Sequence, residues 1–262
     1  MHFTKMEGLG NDYLYHYGEL SDPAAVSIKL SERHFGIGSD GIILILPSDS
    51  ADFKMRIFNA DGSEAKMCGN GIRCVGKYVY DKGYTDKTQL KIETLSGIKT
   101  LKLNVADGKV KSARVDMGKA VVSEPVILNV DGKKITTTPV STGNPHAVTF
   151  VDDAENAPLT TTGPALEKHP YFPDGVNAEF AQIIGKNTIR MRVWERGSGI
   201  TMACGTGSCA TAAAAVQAGF CNKNEEITVI LDGGKLTVTV LDDNTVIMQG
   251  PATKVCECEV EM

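Results

Sequence analysis

Short stretches of alternating apolar and polar residues recur along the chain and predict β-strands. The clearest are DFKMRIF at 52–58 and NTIRMRVWE at 187–195, which are rich in residues that favour strands. The same pattern is found in four further segments, 90–94, 227–231, 235–241 and 245–248. Asp-Gly, Gly-Gly and Asp-Asn turns separate such segments, which favours antiparallel or mixed sheets.

Two central helices are predicted in addition to these strands. Each begins at a Cys-Gly-x-Gly loop and ends at a glycine, Gly83 or Gly219, which suits a helix C-cap. The second contains ATAAAAVQA at 210–218, whose small side chains allow close packing inside a sheet. A further helix is expected to begin at Asp22, because the next residue is a proline, which is favoured in the first turn.

The two halves of the chain resemble each other. MRIFNADGSEAKMCGNG at 55–71 aligns without a gap with MRVWERGSGITMACGTG at 191–207, and weaker matches keep the same order from the N-terminus to residues near 118 and 250. A repeat this long exceeds a solenoid unit. We therefore predict two similar domains related by an approximate twofold axis.

The repeated Cys-Gly-x-Gly loops place Cys68 and Cys204 at the entrances of the two central helices. Backbone N–H groups at a helix N-terminus lack partners, and the helix dipole favours negative charge there. We therefore expect the pKa of each thiol to lie below its free value of about 8.5. The same N–H groups could hold a carboxylate.

If the two thiols face each other across a cleft between the domains, one could remove a proton from a substrate carbon while the other delivers one. This is the chemistry of a two-base racemase or epimerase. A single Cys-Gly-x-Gly loop is more often a tight turn with a buried cysteine, but the second copy favours chemistry. A non-catalytic zinc-thiolate site can also be drawn from Cys68, Cys74, Cys204 and Cys209, although their spacings are unusual for zinc.

Composition narrows the function classes. The formal net charge is −5, which provides no electrostatic footprint for nucleic acid or an anionic membrane. The apolar runs are far shorter than a membrane span, and the N-terminus does not resemble a signal peptide, so we expect a cytoplasmic protein with reduced thiols. Cys256 and Cys258 alternate with glutamates near the C-terminus, which predicts packing of both sulfurs in the core with Val260.

Several polar residues accompany the repeat. Asn11 corresponds to Asn144, and Asn59 to Glu195, although asparagine after glycine is commonly a turn residue. Arg196 suits the second carboxylate of a dicarboxylate substrate, or else a surface ion pair. His146 could tune a thiol or be an ordinary loop histidine.

At these residues the chain resembles the diaminopimelate epimerase family. The segments that carry the resemblance extend over essentially the whole chain in the family's order: FTKMEGLGNDYLY, RIFNADGSEAKMCGNGIRC, STGNPHAV, VNAEF, WERGSG and TMACGTGSCA. The resemblance implies a mixed α/β (α+β) fold of two pseudo-twofold-related domains, each a mixed or antiparallel sheet wrapped round a central helix. It also implies domain bounds of 1–117 with 251–262, and 118–250.

The activity implied by the resemblance is interconversion of LL-2,6-diaminopimelate and its meso form, without cofactor or metal, in a homodimer. Cys68 and Cys204 match the catalytic thiols, with Cys204 as proton acceptor in the LL-to-meso direction. His146 and Glu195 match positions that tune the thiols. The positions that match substrate-binding residues are Asn11, Asn59, Gly69, Asn70, Asn144, Asn177, Glu195, Arg196, Gly205 and Thr206.

One position departs from the family pattern. Many members have glutamine where this chain has Gly41, so a substrate contact is either lost there or made by water or a neighbouring residue. A histidine or proline racemase on the same scaffold is the alternative activity. Proline racemases usually carry histidine at the position of Asn70, and Arg196 favours a substrate with a second carboxylate.

Overall fold

The computed structural model describes residues 1–261, which form two compact units. The first comprises residues 1–115 and 250–261, and the second comprises residues 116–249. Each contains strands and helices, which confirms the predicted α/β fold class. Within the described residues, no helix is long and apolar enough to cross a membrane.

The described part of the first unit contains two helices and nine strands, the eighth of which extends beyond it. In chain order its elements are β1 His2–Gly8, β2 Asn11–Tyr17, α1 Pro23–Ser31, β3 Gly41–Leu46, β4 Phe53–Asn59, β5 Glu64–Ala65, α2 Gly69–Asp81, β6 Gln89–Thr94, β7 Gly97–Ala106 and β8 Lys109–Lys119. The C-terminal strand β19, Thr253–Glu259, belongs to the same unit and pairs antiparallel with β1. Strand β8 continues into the second unit.

The second unit repeats this order. Its elements are β9 Val121–Val122, β10 Val126–Val130, β11 Lys133–Ser141, β12 Pro145–Phe150, α3 Leu159–Glu167, β13 Asn177–Gly185, β14 Thr188–Glu195, β15 Gly199–Ile200, α4 Gly205–Gln217, β16 Glu226–Leu231, β17 Gly234–Val240 and β18 Thr245–Pro251. Both units therefore contain the series strand, helix, two strands, a two-residue strand, a 13-residue helix and a hairpin.

The sheets are mixed, as predicted. In the first unit β2 pairs parallel with β3 and β4 parallel with β6, while β3 and β4 are antiparallel. The second unit has the corresponding pairs: β12 is parallel to β13, β14 is parallel to β16, and β13 and β14 are antiparallel. The parallel pairs bring the starts of neighbouring strands to one edge, where Asn177 lies opposite His146.

The predicted helix ends are confirmed. Asp22 caps α1 by accepting a hydrogen bond from the Ala25 N–H at 3.0 Å. Gly83 and Gly219 follow the ends of α2 and α4 with φ of 78° and 76°. Most of α4 is buried, because its run of alanines lets the surrounding strands approach closely.

The predicted core position of Cys256 is wrong. Cys258 lies opposite the buried Phe3 on β1 and packs partly against the core together with Val260. Cys256 lies opposite Lys5 instead and is exposed. The reason is that this face of β1 changes from apolar to charged over two residues, so the second sulfur has no apolar neighbour to pack against.

Candidate active site

The two repeated cysteines occupy the same local position in their units. Cys68 is the N-cap of α2 and Cys204 is the N-cap of α4, both with extended backbone. The Sγ of Cys68 accepts a hydrogen bond from the Gly71 N–H at 3.2 Å, and the Sγ of Cys204 accepts one from the Gly207 N–H at 3.4 Å. In each unit a sulfur therefore takes the place of the oxygen that normally caps a helix.

Next to each sulfur, the first two N–H groups of the helix have no acceptor within the helix. The helices begin with Gly69 and Asn70 in the first unit, and with Gly205 and Thr206 in the second. A carboxylate bound at either N-terminus would therefore lie beside a thiol, where the helix dipole stabilises its charge.

In the first unit a short chain of polar groups leads away from Cys68. Its thiol donates to Asn11 Oδ1 at 3.3 Å, and Asn11 Nδ2 donates to Asp40 Oδ2 at 2.7 Å. Burial raises the pKa of Asp40. Sequence reasoning missed Asp40, although its position directly before Gly41 at the start of a strand was a usable signal.

The side chains of the other two asparagines in this unit are directed by neighbouring residues. Asn59 Oδ1 accepts from the Tyr13 hydroxyl at 3.2 Å, and Asn59 Nδ2 donates to Ser63 Oγ at 3.1 Å. Asn70 is buried, and its Oδ1 accepts from Arg73 Nη1 at 3.0 Å. The Asn70 side chain thus points towards Arg73.

Arg73 is a second residue that sequence reasoning missed. It is wholly buried in the first turns of α2 and donates to the carbonyls of Gly69 and Pro251 at 3.1 and 2.9 Å. Burial lowers the pKa of its guanidinium, yet arginine remains charged in proteins. A fixed positive charge therefore adds to the helix dipole beneath the loop that carries Cys68.

In the second unit a longer chain of contacts begins at Cys204. Its Sγ lies 3.6 Å from Thr206 Oγ1, which accepts from Asn144 Nδ2 at 3.4 Å. Asn144 Oδ1 lies 3.1 Å from His146 Nε2, and His146 Nδ1 lies 2.6 Å from Glu179 Oε1. The structure thus brings three of the predicted residues together with Cys204.

Glu179 was not predicted from the sequence. It is fully buried in β13, two residues after Asn177, and a glutamate inside the otherwise apolar run AEFA was the available signal. A Cβ added to Gly207 would lie 2.6 Å from Glu179 Oε1 and 3.2 Å from Cys204 Sγ. The glycine therefore lets the carboxyl group and the thiol approach the same turn of α4.

Asn177, Glu195 and Arg196 lie at the ends of neighbouring strands. Asn177 Oδ1 accepts from the Arg196 N–H at 2.9 Å, and its Nδ2 donates to the Pro145 carbonyl at 3.4 Å. Glu195 accepts a hydrogen bond from the Thr201 hydroxyl. The guanidinium of Arg196 is exposed and donates through Nη1 to the Asp174 carbonyl at 2.6 Å.

The expected low pKa is wrong for Cys204. Burial raises the pKa of its thiol well above the ordinary value, and the nearby carboxyl groups of Glu195 and Glu179 raise it further. The hydrogen bonds from Thr206 and the Gly207 N–H act in the opposite direction but are outweighed. Desolvation and negative neighbours therefore overcome the effect of the helix N-terminus.

Gly41 has a steric role in this chain. Its φ is 150°, and a Cβ built there would lie 2.1 Å from the Phe58 carbonyl oxygen. Gly41 pairs with Asn59 across β3 and β4. A glutamine at this position would require a different local backbone, so the departure from the family pattern reflects close packing against the strand that carries Asn59.

The cysteines next to the candidate thiols behave differently. Cys74 donates to the Glu7 carbonyl, and burial raises the pKa of its thiol to about 12, which keeps it protonated. Zinc binds the thiolate rather than the thiol. Within residues 1–261, no group of three or more His, Cys, Asp or Glu side chains is arranged to hold a metal ion.

Comparison with known proteins gives a consistent family match. The family model described as "Diaminopimelate epimerase" matches residues 3–123 and 138–255. Curated proteins named diaminopimelate epimerase are similar over nearly their whole length. The protein from Acetivibrio thermocellus is 50% identical over 100% of this chain and 99% of its own. The protein from Bacteroides thetaiotaomicron is 55% identical over 99% of this chain and 97% of its own. The protein from Methanococcus maripaludis is 50% identical over 100% of both chains.

Solved structures share the fold at low sequence identity. A phenazine biosynthesis protein of the PhzF family from Bacillus anthracis has a TM-score of 0.80 and 16% identity over 100% of this chain and 99% of its own. A probable proline racemase from Agrobacterium radiobacter, with bound carbonate, has a TM-score of 0.78 and 18% identity over 100% of this chain and 93% of its own. These likenesses support the fold.

Proposed function

Because the chain belongs to the diaminopimelate epimerase family, we propose that it interconverts LL-2,6-diaminopimelate and meso-diaminopimelate without a cofactor. This reaction would supply precursors of lysine and peptidoglycan. The observation that carries the proposed mechanism is the repeated cap, in which Cys68 and Cys204 occupy equivalent positions at the N-termini of two 13-residue helices.

The proposed mechanism uses one thiolate and one thiol. In the LL-to-meso direction Cys204 accepts the α-proton and Cys68 delivers a proton to the opposite face of the same carbon. The N–H groups of Gly69 and Asn70, with those of Gly205 and Thr206, bind the carboxylate of the reacting centre. They stabilise the negative charge that develops on it when the α-proton leaves.

The raised pKa of the Cys204 thiol bears on which of the two cysteines carries a proton at each stage of this mechanism. Cys204 is predominantly a thiol before substrate binds, so it must lose its proton before it can act as the acceptor. Reaction from the meso isomer starts from the complementary form, in which Cys204 is the donor. The two directions therefore use two forms of the enzyme that carry the same number of protons.

The remaining matched residues are proposed to bind the rest of the substrate. Asn11, Asn59, Asn144 and Asn177 offer amide groups, and Arg196 offers a guanidinium to the carboxylate of the non-reacting centre. Glu195 contributes its carboxylate to substrate binding and, together with His146, to the tuning of Cys204. We further propose that the protein is a cytoplasmic homodimer. Sedimentation velocity would measure its mass and so test the oligomeric state.

Incubation of the pure protein with LL-diaminopimelate in D2O tests the reaction directly. We expect meso-diaminopimelate with deuterium at the inverted carbon, because the donor thiol exchanges with solvent. Turnover of L-histidine or L-proline but not of diaminopimelate would overturn the substrate assignment. Loss of activity after exhaustive EDTA dialysis, regained only with metal, would overturn the cofactor-free mechanism.

Cysteine variants test the two-base mechanism. Cys68→Ser and Cys204→Ser should each abolish epimerisation while retaining the folded state, because each removes the proton carrier on one face. Cys256→Ser is the matched control: it changes an exposed thiol outside both caps and should keep the wild-type rate. Near-normal turnover by either cap variant would contradict the mechanism.

A further inference from the structure

A buried histidine–glutamate pair lies behind Asn144 in the second unit. The side chains of His146 and Glu179 are fully buried, and Nδ1 lies 2.6 Å from Oε1. The two residues lie on the parallel strands β12 and β13. The proton transfer proposed above makes no use of Glu179, yet a charged or polar pair is seldom buried so completely without a role in holding other groups.

The contacts of His146 define how many protons the pair holds. Nε2 lies 3.1 Å from Asn144 Oδ1, and with the amide in this orientation the oxygen can only accept, so Nε2 carries the hydrogen. A second hydrogen is needed between Nδ1 and Glu179 Oε1. The pair therefore holds two protons and is neutral overall, either as imidazolium with carboxylate or as imidazole with carboxylic acid.

The alternative is a pair with a single proton. It would need the amide of Asn144 reversed, so that Nδ2 donates to an unprotonated Nε2, and it would leave a net negative charge in a fully buried site. Glu195 and Cys204 are the other titratable groups that act on this site, and neither supplies a compensating positive charge. Burial raises the pKa of Glu179, which favours retention of the second proton.

The Asn144 amide also contacts two threonine hydroxyls on its other side. Thr142 Oγ1 donates to Oδ1 at 3.4 Å, and Nδ2 donates to Thr206 Oγ1 at 3.4 Å. Thr206 is the residue whose hydroxyl lies 3.6 Å from the sulfur of Cys204. The orientation of one amide thus connects the buried pair with the side chains around the thiol.

We propose that Glu179 is a positioning residue. It keeps a proton on Nε2 of His146, and that N–H holds the Asn144 amide with Nδ2 directed at Thr206 beside Cys204. The proposal rests on the proposed function, in which Asn144 binds the substrate. The consequence is that Glu179 governs substrate affinity through His146 and Asn144.

The first test measures the protonation of His146 without reference to activity. In protein labelled with 15N-histidine, the resonance of His146 is assigned by its loss in His146→Asn. We expect a hydrogen on Nε2 at neutral pH. An unprotonated Nε2 at neutral pH would mean the reversed amide and would overturn the proposal.

The second test compares Glu179→Ala with Glu179→Gln. The alanine variant removes the group that fixes the His146 ring, so Nε2–H no longer holds the Asn144 amide; we expect KM for both isomers to rise about tenfold while kcat changes by less than about threefold. Glutamine can donate its amide hydrogen to Nδ1 and leave the proton on Nε2, so KM should return to within about threefold of wild type.

Thr211→Val is the matched control for damage to the fold. It removes a buried hydrogen bond from Thr211 Oγ1 to Met191 Sδ in the same unit, and should lower Tm without a change in KM. An unchanged KM in Glu179→Ala, or an equal rise in the glutamine variant, would overturn the proposal. If Glu179→Ala does not fold, the KM of Glu179→Gln and the His146 resonance still test the proposal. Wild-type protein inactive on diaminopimelate would instead refute the proposed function, and the His146 measurement would stand.

Discussion

At the scale of single residues, the two candidate thiols share a backbone position but their environments differ. Cys68 is half-buried and donates to Asn11, whereas Cys204 is buried beside two carboxyl groups. A helix N-terminus contributes a favourable interaction of about 0.3–2 kcal/mol with a negative charge, which full desolvation can exceed. The protonation state of Cys204 therefore depends on its surroundings more than on its cap.

Glu195→Gln should lower the pKa of Cys204, because it removes the negative charge that opposes the thiolate most strongly after burial itself. The active enzyme needs a proton on one of its two catalytic cysteines. When both are thiolates the reaction stops, so kcat/KM falls at alkaline pH, and this fall is the alkaline limb of the pH profile. That limb should lie above about pH 8.5 in the wild type and move to lower pH in the variant.

The pH dependence of kcat/KM in both directions measures this shift. The limb must be the same in both directions, because their ratio is the equilibrium constant between the two isomers. Ionisation of the substrate is common to both proteins and cancels in the comparison. A limb that stays in place in Glu195→Gln would show that this carboxylate does not act on Cys204.

Arg196→Lys should weaken substrate binding with little effect on folding. Arg196 is exposed and uses Nη1 for the Asp174 carbonyl, so part of its guanidinium fork remains available to a carboxylate. A lysine cannot reproduce a bidentate contact, and the loss should be about 1.5–3 kcal/mol, or roughly ten- to a hundredfold in KM.

Steady-state kinetics beside a thermal melt check the arginine substitution. An arginine without a substrate contact would change stability by less than about 0.5 kcal/mol and leave the kinetics unchanged. That result would reopen the choice of substrate, because Arg196 is the residue that argues most directly for a second carboxylate.

At the scale of elements, each candidate site is assembled from a helix N-terminus and the ends of nearby strands. Strand β4 ends at Asn59 and strand β14 ends at Glu195, in corresponding positions of the two units. Glycines in the first turn of each helix allow this approach: a Cβ on Gly71 would lie 2.6 Å from Ile43 Cδ1. The first turn therefore needs glycine, because neighbouring side chains pack directly against its backbone.

Gly207→Ala should destabilise the second unit, even though alanine favours a helix more than glycine does. The new Cβ would collide with the buried Glu179 carboxyl group at 2.6 Å, and overpacking of this kind costs about 1–3 kcal/mol. Activity should fall as well, because Cys204 lies against the same atom. Urea denaturation and kcat/KM measure the two effects.

Gly219→Ala is the matched control for this substitution. Its φ is 76° and a Cβ there meets nothing within 4 Å, so it should lose about 1–2 kcal/mol through backbone strain alone and keep normal kinetics. A Gly207→Ala protein as stable as wild type would contradict the close approach of Glu179 and α4.

At the scale of the whole molecule, the two ends of the chain are paired. Strand β19 follows residues of the second unit but joins β1, with partners from His2–Glu259 to Glu7–Thr253. The amino terminus donates to the Val260 carbonyl, and Glu257 accepts from Thr4 at 2.7 Å. The last described strand of the chain is therefore part of the sheet of the first unit.

A chain that ends at Ala252 should lose at least about 3 kcal/mol of unfolding free energy, because a whole strand of hydrogen bonds to β1 disappears. Glu257→Gln is the control, since it removes only partly exposed ion pairs and should cost less than about 1 kcal/mol. The denaturation midpoint measures both. An unchanged midpoint after truncation would mean that β19 contributes nothing to the stability of this unit.

Much of the architecture can be predicted from the sequence because the signals are local. The alternation at 52–58 and 187–195 corresponds to β4 and β14, and the Cys-Gly-x-Gly loops correspond to the starts of α2 and α4. Caps, turns and strand periodicity depend on neighbouring residues in the chain, so a single sequence contains them. The placement of the two thiols at helix N-termini follows from these signals alone.

Only the tertiary structure decided what surrounds those thiols. Glu179, Asp40 and the buried Arg73 reach the two sites from elements remote in sequence or by side-chain directions that periodicity does not specify. The raised pKa of Cys204 and the exposure of Cys256 follow from the same cause. Desolvation and charge–charge interactions depend on distances between atoms brought together by folding, whereas the sequence pattern specifies only which residues begin and end each element.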